Sequence, residues 1–252
     1  MSNRLAFPMY AVNRNDTDAL WRAVQHLLVA RGVPAGELIP GGAEAALLAH
    51  WQQPDLILSQ TCGYPLVTQL PNVQVVGCFH YTSPGCEGIH YRSFLVVRDE
   101  DKHKTVADFR GRRAVCNSPD SQSGFNALRK RVAPVLLNDY FSGVTFSGSH
   151  RQSLVNVKRG EGDIAAIDCV TFALLQRHEP ALLKGLVAID RTPLTPGLPL
   201  ITSPTTSPEM LHAIRDALNA LVSDPEYRGV RDAVLIKDFS EAGRQAFSHL
   251  PG

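Results

Sequence analysis

The 252-residue sequence lacks most of the signatures that would fix a chemistry outright. No segment approaches the roughly 18 to 20 uninterrupted apolar residues needed for a membrane-crossing helix, so no membrane insertion is expected. Met1-Ser2-Asn3-Arg4-Leu5 leads straight into a strand pattern with no apolar signal region. As written the chain is expected to be cytoplasmic, or periplasmic if a leader has been removed. Neither sign of charge is in excess: Lys+Arg 25 against Asp+Glu 24 gives a net charge of +1, which supplies no basic field for nucleic acid. The five cysteines, Cys62, Cys78, Cys86, Cys116 and Cys169, contain no Cys-x-x-Cys pair. Their odd number argues against a closed disulfide framework, and buried thiols are expected. They give no zinc signature and the nine histidines no His-Glu-x-x-His, so neither a metal nor a cofactor is implied. Gly-x-Ser-x-Gly is missing too, and Cys62 beside His80 or His150 lacks a group to orient the pair. No internal repeat or low-complexity segment appears, and Arg129-Lys130-Arg131 reads as a solvated helix face.

What is present is an α/β rhythm punctuated by small polar turns. Residues 4–7 suggest a strand, followed by a helix with Asp16 as cap, Gly32 past its end, and Leu20, Trp21, Val24, Leu27 and Leu28 facing inward. A short strand at Leu38-Ile39, a helix over 43–51 and a buried strand at 55–58 follow. The turn Ser59-Gln60-Thr61-Cys62-Gly63-Tyr64-Pro65 then leads to a short helix with Leu66 and Leu70 inward. Residues 73–79 and 91–97 read as strands, the second carrying the chain across to another unit. There the rhythm repeats, with strands at 113–116, 145–146 and 163–167 and a helix over 152–158. A Pro- and Gly-rich stretch at 191–197 marks the return, and helical patterns over 208–222 and 241–247 close the chain.

The organising stretch is Arg113-Ala114-Val115-Cys116 followed by Asn117-Ser118-Pro119-Asp120-Ser121-Gln122-Ser123-Gly124. A strand gives way to a small polar turn and then to a helix with Phe125, Leu128, Val132 and Val135 at helical spacing. Ser121 or Ser123 is the expected N-cap. A helix start leaves amides unpaired and carries positive dipole charge, so two hydroxyls beside it can hold an oxyanion without a lysine. The plainer alternative is an ordinary capped helix. Asp168, at a strand tip, either caps the next helix or faces a ligand, and strand ends of such sheets point at the crevice. His150 would add a pH-dependent imidazolium if it faced the same place. Tyr10, Tyr64 and Tyr91 each offer a hydroxyl or a ring, and Arg92 beside Tyr91 points to the opposite face of its strand.

Residues 5–10, Ser59 to Leu66, Tyr91-Arg92-Ser93, Asp108 to Arg113, Ser121-Gln122-Ser123-Gly124, Ser147-Gly148-Ser149-His150 and Gly162 to Asp168 together resemble the phosphate/phosphonate substrate-binding family of ABC transporters, the PhnD-like group. The likeness runs over nearly the whole chain. It implies a type II periplasmic binding protein fold: two α/β lobes, 1–92 plus 195–252 and 97–190, with hinges near 93–96 and 191–194. It also implies a monomer that binds a small oxyanion such as phosphonate or phosphate without chemistry, with an ABC permease as partner. Carried over by motif, the ligand-binding residues are Tyr10, Thr61, Gly63, Tyr64, Tyr91, Ser121, Gln122, Ser123, Gly124, His150 and Asp168. Gln122 stands where a small hydroxylated residue is common in the family. Cytosolic proteins resembling this fold catalyse steps in menaquinone biosynthesis, so an enzyme is one alternative, and a ligand sensor that signals by closure is another.

Overall fold

The computed structural model describes residues 4–6, 10–38 and 44–250. The chain divides into two compact units, the first made of Met1–Thr82, Glu87–Ile89 and Pro196–Gly252, the second of Ser83–Cys86 and His90–Thr195. Strands β1 (Arg4–Ala6), β2 (Glu37–Leu38), β3 (Leu56–Gln60) and β4 (Gln74–Tyr81) alternate with helices α1 (Arg14–Val29), α2 (Glu44–Trp51) and α3 (Gly63–Gln69). The middle of the chain holds β5 (His90–Tyr91), β6 (Ser93–Arg98), β7 (Arg113–Cys116), α4 (Ala127–Val132), α5 (Leu137–Tyr140) and β8 (Gly143–Phe146). It continues through α6 (His150–Lys158), β9 (Ile164–Asp168), α7 (Cys169–His178), α8 (Pro180–Leu183) and β10 (Leu186–Arg191). Strands β11 (Thr195–Pro196) and β12 (Pro199–Thr202), helices α9 (Pro208–Ser223) and α10 (Arg228–Ala233), and strand β13 (Ile236–Glu241) complete it.

The first unit is a six-stranded sheet in the order β13-β4-β12-β3-β1-β2. Strands β1, β2 and β3 pair in parallel, whereas β12 is antiparallel to both β3 and β4. Helix α1 begins at Asn13, whose side-chain oxygen accepts from the Asp16 amide at 3.1 Å. Asp16, expected as the cap, lies instead in the first turn, where its charge favours the positive end of the helix. The expected stripe of Leu20, Trp21, Val24, Leu27 and Leu28 is buried with Ile214, Leu218 and Leu221 of α9 over one face of the sheet. The other face is covered by Trp51, Leu66, Leu70 and Phe247. The helical pattern expected over 241–247 is only a 3-10 turn at Arg244–Phe247, preceded by a strand. That strand, β13, runs antiparallel on β4, and Gly77 makes room for it, since any side chain there would strike the Ser240 backbone and the Phe239 ring. The expected strand at Leu38-Ile39 is met by β2 as far as Leu38; Ile39, like residues 7–9, lies outside the described residues.

The second unit is a five-stranded sheet in the order β10-β6-β9-β7-β8. Here β7, β8 and β9 are parallel and β6 runs antiparallel to both β9 and β10. Residues 93–96 therefore lie inside a sheet strand, with Leu95, Val96 and Val97 fully buried. Leu95, Phe109, Leu128, Phe141 and Ile164 centre the core on one face. Helix α4 stops at Val132 and so excludes Val135 from the expected helical run; Pro134 lacks the amide hydrogen to continue it. At the edge of this unit Asp163 accepts from Arg98 at 2.8 Å, Arg112 at 3.2 Å and Arg113 at 3.2 Å, and from the Arg113 amide at 2.9 Å. Burial by itself would raise the Asp163 pKa, but hydrogen bonds from Arg113 and Arg98 and the charge of Arg112 hold it well below the usual carboxylate range.

Candidate functional site

In the second unit, β7 delivers the chain to a loop that ends at Ser121, in extended conformation (φ −78°, ψ 130°). Its hydroxyl oxygen accepts from the Gly124 amide at 3.0 Å, so of the two expected caps Ser121 is the one used. The opening turn, Gln122–Asn126, is a π-turn closed by the Asn126 amide donating to the Ser121 carbonyl at 3.0 Å. Such wide turns recur at functional sites. Gly124 lets the Asn117 side chain pack against the turn, since a Cβ there would displace its oxygen. The amides of Gln122 and Ser123 precede the first intrahelical bond, as they do at any helix start.

Around this turn the polar side chains are buried together. The Ser123 hydroxyl lies 2.7 Å from His150 Nε2 and 3.4 Å from the Ser121 hydroxyl. The Ser93 hydroxyl donates to the Ser123 carbonyl at 2.6 Å, and Ser93 sits opposite Asp168 in the β6–β9 ladder. Gln122 is fully enclosed; its Oε1 accepts from Asn126 Nδ2 at 2.7 Å, while its Nε2 has no partner among the described residues. A buried donor left unpaired costs about 1–3 kcal/mol, so Gln122 holds a donor in reserve. Ser93 and Asn126 are site residues that the sequence reading did not single out. Ser93 was within reach, since it ends the Tyr-Arg-Ser motif, whereas Asn126 reads as an ordinary helix residue.

His150 opens α6, whose cap is the Ser149 hydroxyl accepting from the Gln152 amide at 3.0 Å. The turn before it is docked on the end of β7, with the Ser147 amide donating to the Cys116 carbonyl at 2.9 Å and Gly148 to that of Asn117 at 2.8 Å. Burial pushes the His150 pKa down to about 4, against a smaller raising influence of the Ala166 backbone. The imidazole is therefore neutral near pH 7, so the contribution open to His150 at this turn is that of a neutral ring. Its Nδ1 is enclosed beside Ala166 without a well-aligned hydrogen bond. Two tautomers follow. With the proton on Nδ1, Nε2 accepts the Ser123 hydroxyl proton; with the proton on Nε2, His150 donates to Ser123 and frees that hydroxyl proton for an acceptor. A hydrogen-bond acceptor placed at the turn would favour the second tautomer.

The remaining expected residues fall out as follows. Asp168 is buried and caps α7, its Oδ1 accepting from the Val170 amide at 2.7 Å and the Thr171 amide at 3.3 Å. Tyr91 is buried on β5, and the neighbouring Arg92 has its Nε enclosed without a partner among the described residues. In the first unit, the Thr61 amide donates to the Pro199 carbonyl at 2.9 Å, while the fully buried Thr61 hydroxyl has no partner among the described residues. Gly63 opens α3 beneath Leu250 and Phe247, where a Cβ would push the end of the Leu250 side chain aside. Tyr64 is half-buried, and its carbonyl accepts from the Thr68 hydroxyl at 2.8 Å. Tyr10 holds a left-handed backbone (φ 61°), strained for a non-glycine residue. Its ring meets Tyr81 edge to face at 5.1 Å, and the Tyr81 hydroxyl accepts from Gln60 Nε2 at 2.8 Å. The structure thus brings Ser121, Ser123 and His150 into direct contact within one unit, with Gln122 and Gly124 in the same turn, and places Tyr10, Thr61, Gly63 and Tyr64 in the other.

Two α/β units with turns of this kind after their parallel strands define the two-lobed periplasmic binding proteins, and solved structures of that class match. PhnD1 from Prochlorococcus marinus, solved with methylphosphonate, aligns at a TM-score of 0.80 and 16% identity, covering 98% of this chain and 95% of that one. A binding protein component of an ABC phosphonate transporter from Pseudomonas aeruginosa aligns at 0.76 and 15%, covering 97% and 82%. The aliphatic sulphonate binding protein SsuA from Escherichia coli aligns at 0.62 and 15%, covering 92% and 73%. At such identities the likeness is one of fold. No curated protein matches the chain by sequence. Residues 43–247 match the family model described as ABC transporter, phosphonate, periplasmic substrate-binding protein, and the chain belongs to that family. It is accordingly a substrate-binding transport component rather than an enzyme, with an ABC permease as the implied partner. Among the described residues no helix is long and apolar enough to cross a membrane.

Proposed function

We propose that the chain captures a small phosphonate or phosphate-like oxyanion at the Ser121–Gly124 turn, as a monomer working in the periplasm. The observation that carries this reading is a helix start whose turn holds two buried hydroxyls, Ser121 and Ser123, and the enclosed side chain of Gln122, whose Nε2 has no partner among the described residues. A charged oxygen is desolvated at tolerable cost only where several donors converge on it. The donors here are Gln122 Nε2, the Gln122 and Ser123 amides, the Ser121 hydroxyl and the Ser123 hydroxyl, the last freed when His150 donates to it. No lysine or arginine is needed, since the helix start supplies positive dipole charge. Tyr10, Thr61, Gly63 and Tyr64 are proposed as the first unit's share of ligand contacts, foremost the buried Thr61 hydroxyl, which has no partner among the described residues. Tyr91 and Asp168 are kept as proposed neighbours of the ligand, Asp168 acting through the helix it caps.

The test is calorimetric titration of the folded chain with methylphosphonate, phosphite and phosphate, repeated on Ser121→Ala/Ser123→Ala. Each hydrogen bond to a charged group is worth about 1.5–3 kcal/mol, so affinity should fall at least roughly tenfold to a hundredfold. Binding of all three anions with unchanged affinity by the variant would place the site elsewhere.

A further inference from the structure

None of the five cysteines is in a disulfide, yet two of them meet: Cys86 Sγ lies 3.5 Å from Cys169 Sγ. The Ser83 hydroxyl stands 3.2 Å from Cys86 Sγ and 4.0 Å from Cys169 Sγ. Both cysteines belong to the second unit, Cys86 at the end of its short Ser83–Cys86 piece and Cys169 as the first residue of α7. Gly85 makes the approach feasible. It takes a left-handed backbone (φ +96°), and a Cβ there would sit 3.0 Å from Cys169 Cβ and 3.2 Å from the Arg92 side chain. Cys86 is half-buried and reachable, whereas Cys169 is fully buried.

We propose that Cys86 and Cys169 are a redox-active pair that closes to an intramolecular disulfide, fastening the Ser83–Cys86 piece to the start of the helix that follows Asp168. The sulfurs need approach by only about 1.5 Å to reach the disulfide bond length of about 2.05 Å. The two thiols differ in a way that sets the order of events. The hydrogen bond from Cys169, the Ser83 hydroxyl and the charge of Arg92 lower the Cys86 pKa against its burial; the Cys86 contact, burial and Asp168 raise that of Cys169. Cys86 is therefore the attacking thiolate. With a small disulfide such as oxidised glutathione as oxidant, Cys86 attacks one sulfur and expels a glutathione thiolate, leaving a mixed disulfide. Cys169 then loses its proton and attacks Cys86 Sγ, expelling the second glutathione. The protein pair gives up two electrons, the donor disulfide takes them, and the two thiol protons end on the two glutathiones. Burial pushes the thiols of Cys78 and Cys116 up to about 12, so neither competes. An oxidising compartment, such as the one named in the family description, favours the closed form. This inference does not depend on the oxyanion reading.

The experiment is incubation of the full chain with oxidised glutathione, acid quench, and alkylation under denaturing conditions with intact-mass and peptide mapping. The reduced chain should take five alkyl groups, one for each free cysteine. The oxidised chain should take two fewer, weigh two hydrogens less before alkylation, and yield one cross-linked peptide joining Cys86 to Cys169. Cys169→Ser should halt at a glutathione adduct on Cys86, and Cys86→Ser should form no internal bond. Should either variant fail to fold, the wild-type peptide map alone decides. Five alkylated cysteines after oxidation, a bond joining a different pair, or a lasting adduct on Cys86 of the wild type would overturn the proposal.

Discussion

The two units share a sheet plan and differ in how their turns are finished. The first reads β2-β1-β3-β12-β4-β13 and the second β8-β7-β9-β6-β10, each with three parallel strands followed by an antiparallel strand supplied from after a chain crossing, the first ending in one further strand. Corresponding strand ends therefore lead to Tyr10 and Thr61 in one unit and to Ser121 and Asp168 in the other. In the second unit Ser121, Ser123, His150 and Ser93 are bonded to one another or to the turn, and Asp168 is tied to α7. In the first, the Thr61 hydroxyl is enclosed without a partner among the described residues and the cap position Cys62 makes no side-chain cap bond. One topology thus yields a pre-set turn and an open one. Affinity gained from groups already held in place is not spent on ordering them, which is why the second unit is the better candidate for the charged end of a ligand.

The largest expected effect concerns what holds the second unit rigid. Asp163→Ala removes the acceptor shared by Arg98, Arg112 and Arg113, leaving three guanidinium groups clustered at one edge. Breaking a buried ion pair costs about 3–5 kcal/mol; because the arginines reach solvent, about 3 kcal/mol or somewhat less is expected. Hydrogen exchange should accelerate in β7 and β9 while amides of β3 and β4 keep their protection. Equal acceleration in both units would mean that they unfold as one and that the contrast drawn between them has no energetic counterpart.

His150 sharpens the comparison through pH. Its folded pKa, about 4, lies below the unfolded value of about 6.5, so between the two the unfolded chain binds the extra proton. Stability is then fully present above about pH 6.5, falls as pH drops toward 4, and levels below it, a total of roughly 2–4 kcal/mol. Denaturant midpoints taken at steps through this window should slope in the wild type and flatten in His150→Gln. The same variant loses the imidazole that orients the Ser123 hydroxyl, so its affinity for the oxyanion should also drop. Identical slopes in the two proteins would show that the His150 ring is not desolvated as described.

Much of this plan was legible beforehand. The strand over 113–116 matches β7 end to end, the α1 stripe is buried as expected, and Ser121 was one of two named caps. What escaped was set by tertiary contact. Ile236–Glu241 carries little apolar alternation, and it is a strand because β4 offers an edge and Gly77 a space. A π-turn at Gln122–Asn126 leaves no mark in periodicity, and with Asn13 and Asp16 both able to cap, only the structure shows that Asn13 does. The burial that lowers the His150 pKa is likewise out of reach, because a sequence does not reveal desolvation. Cys86 and Cys169, 83 positions apart, have no spacing signature at all.

The smallest effect is the most discriminating for the first unit. Thr61→Val replaces the enclosed hydroxyl by a methyl group of nearly the same shape, at a side chain whose backbone amide stays bonded to Pro199. A buried polar group without a partner is a liability in the free protein, so removing it should leave stability unchanged or raise it by about 1 kcal/mol. If the hydroxyl serves a ligand, affinity must move the other way, by roughly threefold to tenfold for one neutral hydrogen bond of about 0.5–1.5 kcal/mol. Opposite signs from one substitution cannot come from a packing defect, which would lower both. Thermal unfolding and calorimetric titration of the same preparation give the two readings. A rise in stability with affinity intact would assign Thr61 to the core and leave the oxyanion to the second unit alone.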